Sequence, residues 1–235
     1  MSVVLVTGGT GAIGAAIAGE FSRTDDVICT YNSGGERARM LKEKLGCGCV
    51  RMDISDRASV NAAVSEVLKS YGHIDVLVNN AGISQIKLFG DITDDDWARM
   101  MSVNLTGCFN VTQEVLKSMI SRKSGAIVNI SSVWGVHGAS CEVHYSAAKA
   151  GVIGMTKALA KEVGLSGVTV NCIAPGVIDS PMNSAHLSAE ELSELAEQTP
   201  VGRLGRPDEV AKAVRALAEN RFITGQILGV DGGFY

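Results

Sequence analysis

The sequence predicts an α/β fold, a doubly wound parallel sheet of about seven strands with helices on both faces. Three observations predict it. Short apolar, β-branched runs alternate with longer helical patterns along the chain, and such alternation builds parallel strands joined by crossover helices. The 235 residues suit one domain, and with 46% apolar and 20% charged side chains they can bury a core. No linker, low-complexity tract or internal repeat divides them, so residues 1–235 read as a single domain.

The elements justify this in order. Val3–Val6 is the first strand, followed by a glycine-rich turn and a helix; Val27–Thr30 and Cys49–Met52 are the second and third strands. In Asp56–Tyr71, Val60, Val64, Val67, Leu68 and Tyr71 recur at helical spacing. Ile74–Val78 is the fourth strand, and Thr93 before Asp94, Asp95 and Asp96 is a helix N-cap with acid in the first turn. Ala126–Ile130 and Thr169–Ile173 follow as strands, Ser188 before Glu191 is another N-cap, and Gln226–Leu228 closes the series. Ligands of such sheets bind at the carboxyl ends of the strands, near the point where strand order reverses. Functional motifs are therefore expected just after strands.

Lys and Arg number 21 against 25 Asp and Glu, a net charge of −4. That balance argues against a phosphate-neutralising face, so no nucleic-acid partner is expected. No apolar run approaches the ~20 residues of a membrane span, and the start of the chain lacks the pattern of a secretory leader. A cytoplasmic address is expected. The six cysteines (Cys29, Cys47, Cys49, Cys108, Cys141, Cys172) contain no C-x-x-C pair, and the four histidines have no ligand spacing. They read as free thiols in a reducing compartment, with no metal site.

Thr7-Gly8-Gly9-Thr10-Gly11-Ala12-Ile13-Gly14 lies in the first strand-to-helix turn. Glycines there let the backbone approach a pyrophosphate, which the helix N-terminus binds through its free N–H groups. Three registers fit: Gly9-x-Gly11-x-x-Gly14, Gly8-x-x-Gly11-x-x-Gly14, and Thr7-Gly8-x-x-x-Ala12-x-Gly14. The loop alone does not choose among them.

Asn79-Asn80-Ala81-Gly82 follows the fourth strand, Ser132 ends the fifth, Tyr145-Ser146-Ala147-Ala148-Lys149 begins 13 residues later, and Pro175-Gly176 follows the sixth. Five motifs in this order, each at a strand end, resemble the compact short-chain dehydrogenase/reductases over essentially the whole chain. The resemblance implies a Rossmann-type fold and a nicotinamide dinucleotide. Gly8, Thr10, Gly11, Ala12, Ile13 and Gly14 would hold the pyrophosphate. Asp53, with Ile54 beside it, would bond the adenine, and Asn80, Ala81 and Gly82 would line the adenosine side. Ile178 and Ser180, after Pro175 and Gly176, would meet the nicotinamide carboxamide. At the end of the second strand stand Tyr31, Asn32 and Ser33, with no carboxylate until Glu36. A carboxylate there would repel a 2′-phosphate, so NADPH (NADP+) is expected over NADH, with Arg37 the nearest cation.

Reducing a ketone requires hydride at carbon and a proton at oxygen. Tyr145 is the proton donor this chemistry needs, yet a free phenol has a pKa near ~10. Lys149, four residues on, shares its helix face and would stabilise the phenolate. Ser132 would orient the carbonyl and aim a dipole at the developing charge. By resemblance, Lys149 also bonds the ribose, and Asn104 holds a water linking Lys149 to solvent. Taken singly, Ser132 reads equally as a cap, Asn104 as a helix-backbone partner, and the Tyr–Lys pair as a surface contact. Cys141 and His144, flanking the tyrosine, read as pocket lining.

The resemblance is strongest to bacterial 3-oxoacyl-[acyl-carrier-protein] reductases, through Gly202-Arg203-Leu204-Gly205-Arg206-Pro207 and Ile223-Thr224-Gly225-Gln226. It implies an acyl carrier protein partner docked near Arg122 and Lys123, a substrate lid over about residues 182–201, and a homotetramer. Ser166 stands where such relatives have a second basic residue, and Glu190, Glu191, Glu194 and Glu197 make the lid acidic. An alternative comes from Ser132-Val133-Trp134-Gly135 and the run from Gly138 to Ser146, which resemble the branch reducing the 5-aminopentanone group on modified elongation factor P; Glu142 would then meet a cationic amine. A non-catalytic NADP-binding sensor or scaffold is a third reading, which retention of Tyr145, Lys149 and Ser132 disfavours.

Overall fold

A computed structural model describes residues 1–234. Strands β1 (Val3–Val6), β2 (Asp26–Tyr31), β3 (Gly48–Arg51), β4 (Val76–Asn79), β5 (Gly125–Ile130), β6 (Val168–Pro175) and β7 (Ile227–Val230) form one parallel sheet. Its order is β3-β2-β1-β4-β5-β6-β7. The chain steps outward from β1 to β3, returns beside β1 as β4, and proceeds the other way. Strand order therefore reverses between β1 and β4, which opens a crevice at their carboxyl ends.

The alternation of side chains across the strands builds two cores. Val4 and Val6 of β1 pack with helices α1 (Ala12–Phe21) and α10 (Pro207–Glu219) on one face. Val3 and Leu5 pack on the other with α3 (Arg57–Tyr71), α5 (Gly107–Arg122) and α7 (Val143–Val163). The remaining helices are α2 (Gly35–Leu45), α4 (Asp94–Met101), α6 (Val133–His137), α8 (Pro181–Ser184) and α9 (Ala189–Gln198). Among the described residues, no helix is long and apolar enough to cross a membrane.

The expected strands are all present, β1 at its expected limits and the rest shifted at their ends. The fourth begins at Val76 rather than Ile74: the Asp75 carboxylate turns to accept the Val3 N–H at 2.9 Å and pairs with Arg122 at 2.5 Å. The sixth runs on to Pro175 because its pairing with β7 continues there, Pro175 opposite Val230. Asp56 is the N-cap of α3 rather than its first turn, accepting from the N–H groups of Ala58 and Ser59. Thr93 with Asp96, and Ser188 with Glu191, form reciprocal capping boxes. In the expected lid, α9 buries no residue.

Candidate active site

The crevice is lined from six strand ends. At β1 the chain enters Thr7–Gly11, and close packing there decides which glycines are needed. Gly8 has φ +64°, and a Cβ on it would lie 2.8 Å from the Ala81 Cα. A Cβ on Gly14 would meet the Gly8 carbonyl oxygen at 2.4 Å and the Asn80 Nδ2 at 2.7 Å. At Gly11, the N-cap of α1, the nearest atom would be 3.5 Å away, an ordinary contact. The steric requirement thus falls on Gly8, Gly9 and Gly14 and spares Gly11, which among the three registers fits Thr7-Gly8-x-x-x-Ala12-x-Gly14, the one that does not call for Gly11.

The β4 motif holds this loop in shape. Asn80 Nδ2 donates to the Thr7 and Gly8 carbonyls at 3.0 and 3.1 Å, and the N–H groups of Asn80 and Ala81 donate to Thr7 Oγ1. Asn80 therefore positions the loop, in addition to lying beside the expected adenosine side. The glycine loop and the start of α1 thus form a cradle in which Gly8, Gly9, Gly11 and Gly14 carry no Cβ, and a helix N-terminus of this kind fits a pyrophosphate.

At the end of β2, Asn32 Nδ2 donates to Asp53 at 3.0 Å, and Ser55 donates twice to the same carboxylate. The Ser55 hydroxyl, chiefly, holds the Asp53 pKa low. Arg37 folds back over Gly34, with its Nε 2.9 Å from where a Gly34 Cβ would stand. Arg51, a residue the sequence reading missed, donates to the Asn32 carbonyl at 3.3 Å. Two cations thus flank Tyr31-Asn32-Ser33.

Ser132, at the end of β5, is the N-cap of α6, its hydroxyl accepting the Trp134 N–H at 3.1 Å. The same Ser132 hydroxyl also hydrogen-bonds the Tyr145 phenol, which pulls the phenol's pKa down. Burial outweighs that pull and pushes Tyr145 up to about 12, with the Glu142 charge adding to the rise. Lys149, from the next turn of α7, donates to the Ile130 carbonyl at 2.8 Å and lies 5.7 Å from the centre of the Tyr145 ring. Its own pKa is pulled down by burial.

Asn104 lies in a π-helical turn over Ser102–Thr106, a widened turn of a kind often found at functional sites. Its Oδ1 accepts the Ile83 N–H at 2.9 Å and its Nδ2 donates to the Ile83 carbonyl at 2.8 Å and to Met100 Sδ, one turn back, at 2.7 Å, so the side chain clasps the β4 loop to its own helical segment. Gly82 joins the groups: a Cβ there would be 2.7 Å from Asn104 Oδ1 and 3.5 Å from Lys149 Nζ. Beneath them runs a buried polar ladder that the sequence reading missed. Asn79 donates to Thr112 and Asn129, and Asn129 to Thr156, at 2.8–2.9 Å. It ties α5 and α7 to the central strands.

Beyond β6, the Ile178 side chain is buried in the core and its carbonyl accepts from Asn183 at 2.7 Å. Asp179 N–H and Val177 C=O carry the bridge to Gly205, which leaves the Ile178 N–H out of that pairing. Ser180 is the N-cap of α8 with a hydroxyl that makes no cap bond.

His144 is wholly buried and bonds Gln85 at 2.8 Å rather than Cys141. Gln85 and Lys87 in turn bond Asp96, at 2.9 and 2.6 Å, and Lys87 N–H donates to the Cys141 carbonyl. This network clamps the β4 loop to α4 and α7. Glu142 stands one turn before Tyr145, and burial pushes its pKa up to about 7. Arg122, by contrast, is not near the crevice in its own chain. It pairs with Asp75 and the Ile74 carbonyl at the amino ends of the strands.

Comparison with known proteins agrees with this geometry. A family profile described as enoyl-(acyl carrier protein) reductase matches residues 9–235. The chain is 42% identical to a 3-oxoacyl-[acyl-carrier-protein] reductase of Chlamydia muridarum, over 97% of this chain and 95% of the relative. It is 41% identical to the protein of that name in Thermotoga maritima, over 98% and 96%. It is also 42% identical to an acetoacetyl-CoA reductase of Shinella zoogloeoides, over 98% and 97%.

Proposed function

The chain belongs to the short-chain dehydrogenase/reductase family and is an oxidoreductase of the C=O/CH–OH class; from that premise we propose that it uses NADPH to reduce a 3-oxoacyl group carried by acyl carrier protein, in fatty-acid elongation. The observation that carries the reading is the Tyr145 phenol set between Ser132 and Lys149 at the switch-point crevice, beside a glycine-lined cradle suited to a dinucleotide. The names of the relatives supply the substrate class.

The dinucleotide, when bound, supplies the hydride. Gly8 through Gly14 hold its pyrophosphate, Asp53 and Ile54 its adenine, and Ile178 N–H and the Ser180 hydroxyl its carboxamide. Arg37 and Arg51, with no carboxylate at Tyr31-Asn32-Ser33, support a 2′-phosphate and hence NADPH over NADH. Ser132 donates to the substrate oxygen and holds it where charge develops. Tyr145 keeps its proton at neutral pH and gives it to that oxygen. Lys149, fixed by Ile130, then stabilises the phenolate. Asn104 is a positioning residue that fixes the β4 loop against Lys149. The cytoplasm and a homotetramer complete the proposal; in an assembly, Arg122 and Lys123 would serve a neighbouring subunit's pocket rather than their own.

A second reading has its own observation. Glu142 is a mostly buried carboxylate with no ion-pair partner among the described residues, one turn from Tyr145. A buried, uncompensated carboxylate favours a cationic partner, which suits the amine of a 5-aminopentanone on elongation factor P. NADPH oxidation separates the two readings, with a 3-oxoacyl group on acyl carrier protein compared with the same group on a small thioester. Preference for the carrier supports the first reading. Indifference to it shifts the case to the amine-bearing ketone, and tight NADPH binding with no turnover on any ketone contradicts both.

A further inference from the structure

Cys29, Cys47 and Cys49 take no part in the site described above, and they converge directly behind it. Cys29 and Cys49 are Cα partners in the parallel pairing of β2 with β3, so their side chains leave the sheet on one face. Neighbouring strands lie about 4.8 Å apart, within the ~4.4–6.8 Å Cα separation that a disulfide spans. Cys47 is two residues before Cys49, and its sulfur hydrogen-bonds both of the others. Helix α2 roofs the trio, with Cys47 donating to the Leu41 carbonyl at 3.9 Å and Cys49 to the Ala38 carbonyl at 3.3 Å.

All three are free thiols, and Cys49 is the one partly open to solvent. A Cβ on Gly9 would lie 2.5 Å from both the Cβ and Sγ of Cys29, so Cys29 backs the glycine loop in direct contact. The Gly9 N–H also donates to the Thr30 carbonyl at 3.0 Å, next to Cys29 on β2. The trio divides its protons unequally. Hydrogen bonds from Cys29, and from Cys49, lower Cys47, while the Cys47 hydrogen bond and burial raise Cys29 and burial raises Cys49. Cys47, packed beside both other sulfurs, is the one whose thiolate they stabilise. Among the described residues, no cluster of His, Cys, Asp and Glu is arranged to hold a metal ion.

We propose that Cys29, Cys47 and Cys49 form an oxidation site for a hydroperoxide, and that the Cys29–Cys49 disulfide it produces loosens the dinucleotide cradle. The Cys47 thiolate attacks one peroxide oxygen and the O–O bond breaks. Cys47 becomes a sulfenic acid, and the second oxygen leaves as alcohol (water, for hydrogen peroxide) with the proton Cys47 had released. The Cys49 thiol attacks the Cys47 sulfur, forming an S–S bond and expelling water. Cys29 then exchanges onto the Cys49 sulfur, and Cys47 regains its proton. Two thiols and one hydroperoxide thus yield one disulfide, one alcohol and one water. Drawing the Cys29 sulfur sideways toward β3 removes the support under Gly9.

The coupling rests on the reading of Thr7–Gly14 as the dinucleotide loop; the oxidation site itself does not. The test treats reduced protein with hydrogen peroxide, follows intact mass and disulfide-linked peptides, and titrates NADPH before and after. The expected result is loss of two hydrogen atoms mapped to Cys29–Cys49. NADPH affinity should fall about tenfold, the scale of one misplaced N–H to a phosphate, and dithiothreitol should restore it. Cys49→Ser and Cys49→Ala should each abolish both changes. Oxidation confined to other cysteines overturns the site, and unchanged affinity in the crosslinked protein overturns the coupling. If reduced protein binds no dinucleotide, the cofactor reading fails together with the coupling, while the peptide map still decides the oxidation site.

Discussion

Replacing Gly14 with alanine, set against the same change at Gly11, probes the cradle at its tightest point. At Gly14 the added methyl would stand 2.4 Å from the Gly8 carbonyl oxygen and 2.9 Å from the Gly9 Cα. Both are backbone atoms of the loop itself, so the loop must retreat by about 1 Å to reach ordinary contact, and overpacking of this kind costs about 1–3 kcal/mol. Alanine's better helix propensity returns up to ~1 kcal/mol, which leaves folding only modestly weakened. Binding suffers more. An N–H group moved by that distance from a phosphate loses a charged hydrogen bond of about 1.5–3 kcal/mol, or about tenfold to a hundredfold in Kd. At Gly11 the nearest atom is at 3.5 Å and φ is −80°, which alanine adopts freely, so the loop keeps its shape and affinity should fall by less than at Gly14. Fluorescence titration of NADPH, with a thermal melt to show that both variants fold, measures the difference. Equal effects at the two positions, or full affinity in a folded Gly14→Ala protein, would refute the reasoning.

Other expectations follow from the same geometry. Arg37→Ala and Arg51→Ala should weaken NADPH by about tenfold each, the scale of one lost charged hydrogen bond, and leave NADH nearly unchanged; parallel titrations check this, and equal losses for both cofactors would remove the arginines from the 2′-phosphate. Glu142 has a folded pKa of about 7, above its ordinary 4.5, so its favourable share of stability is complete below about pH 4.5 and is lost as pH rises through 7. Melting curves of Glu142→Gln should therefore gain on the native protein between pH 5 and 8, and a constant difference would contradict the assignment. His144→Phe should break the Gln85–Asp96 clamp, raising KM more than it lowers kcat, because the network positions the β4 loop and touches no reacting atom.

Much of this site was legible because its chemistry recurs at strand ends, where a glycine run, Ser132 or the Tyr145–Lys149 pair interrupts otherwise apolar patterns. Gly14 and Gly11 look alike in sequence; only the approach of Gly8 and Asn80 tells them apart. Asn129 and Thr156 went unread because a polar residue in a strand or helix normally signals an exposed face, whereas here both are buried and join Asn79 in one hydrogen-bonded line from the sheet to α7. Arg51 was missed because it reaches the cofactor side from a neighbouring strand, a contact set by the β2–β3 register rather than by local spacing. Arg122 shows the reverse. Its position along the chain gave no information about which end of the sheet it would occupy, and the Asp75 pair fixes it at the far end.

The central claim is that Tyr145 transfers the proton while the cradle binds the cofactor independently. Steady-state NADPH oxidation on a 3-oxoacyl thioester by Tyr145→Phe, with the NADPH Kd measured on the same preparation, tests it most directly. The account predicts turnover reduced by at least about a hundredfold, the low end of what a positioned general acid contributes, with Kd within about twofold of the native value. Retained turnover, or loss of cofactor binding in step with activity, would contradict it.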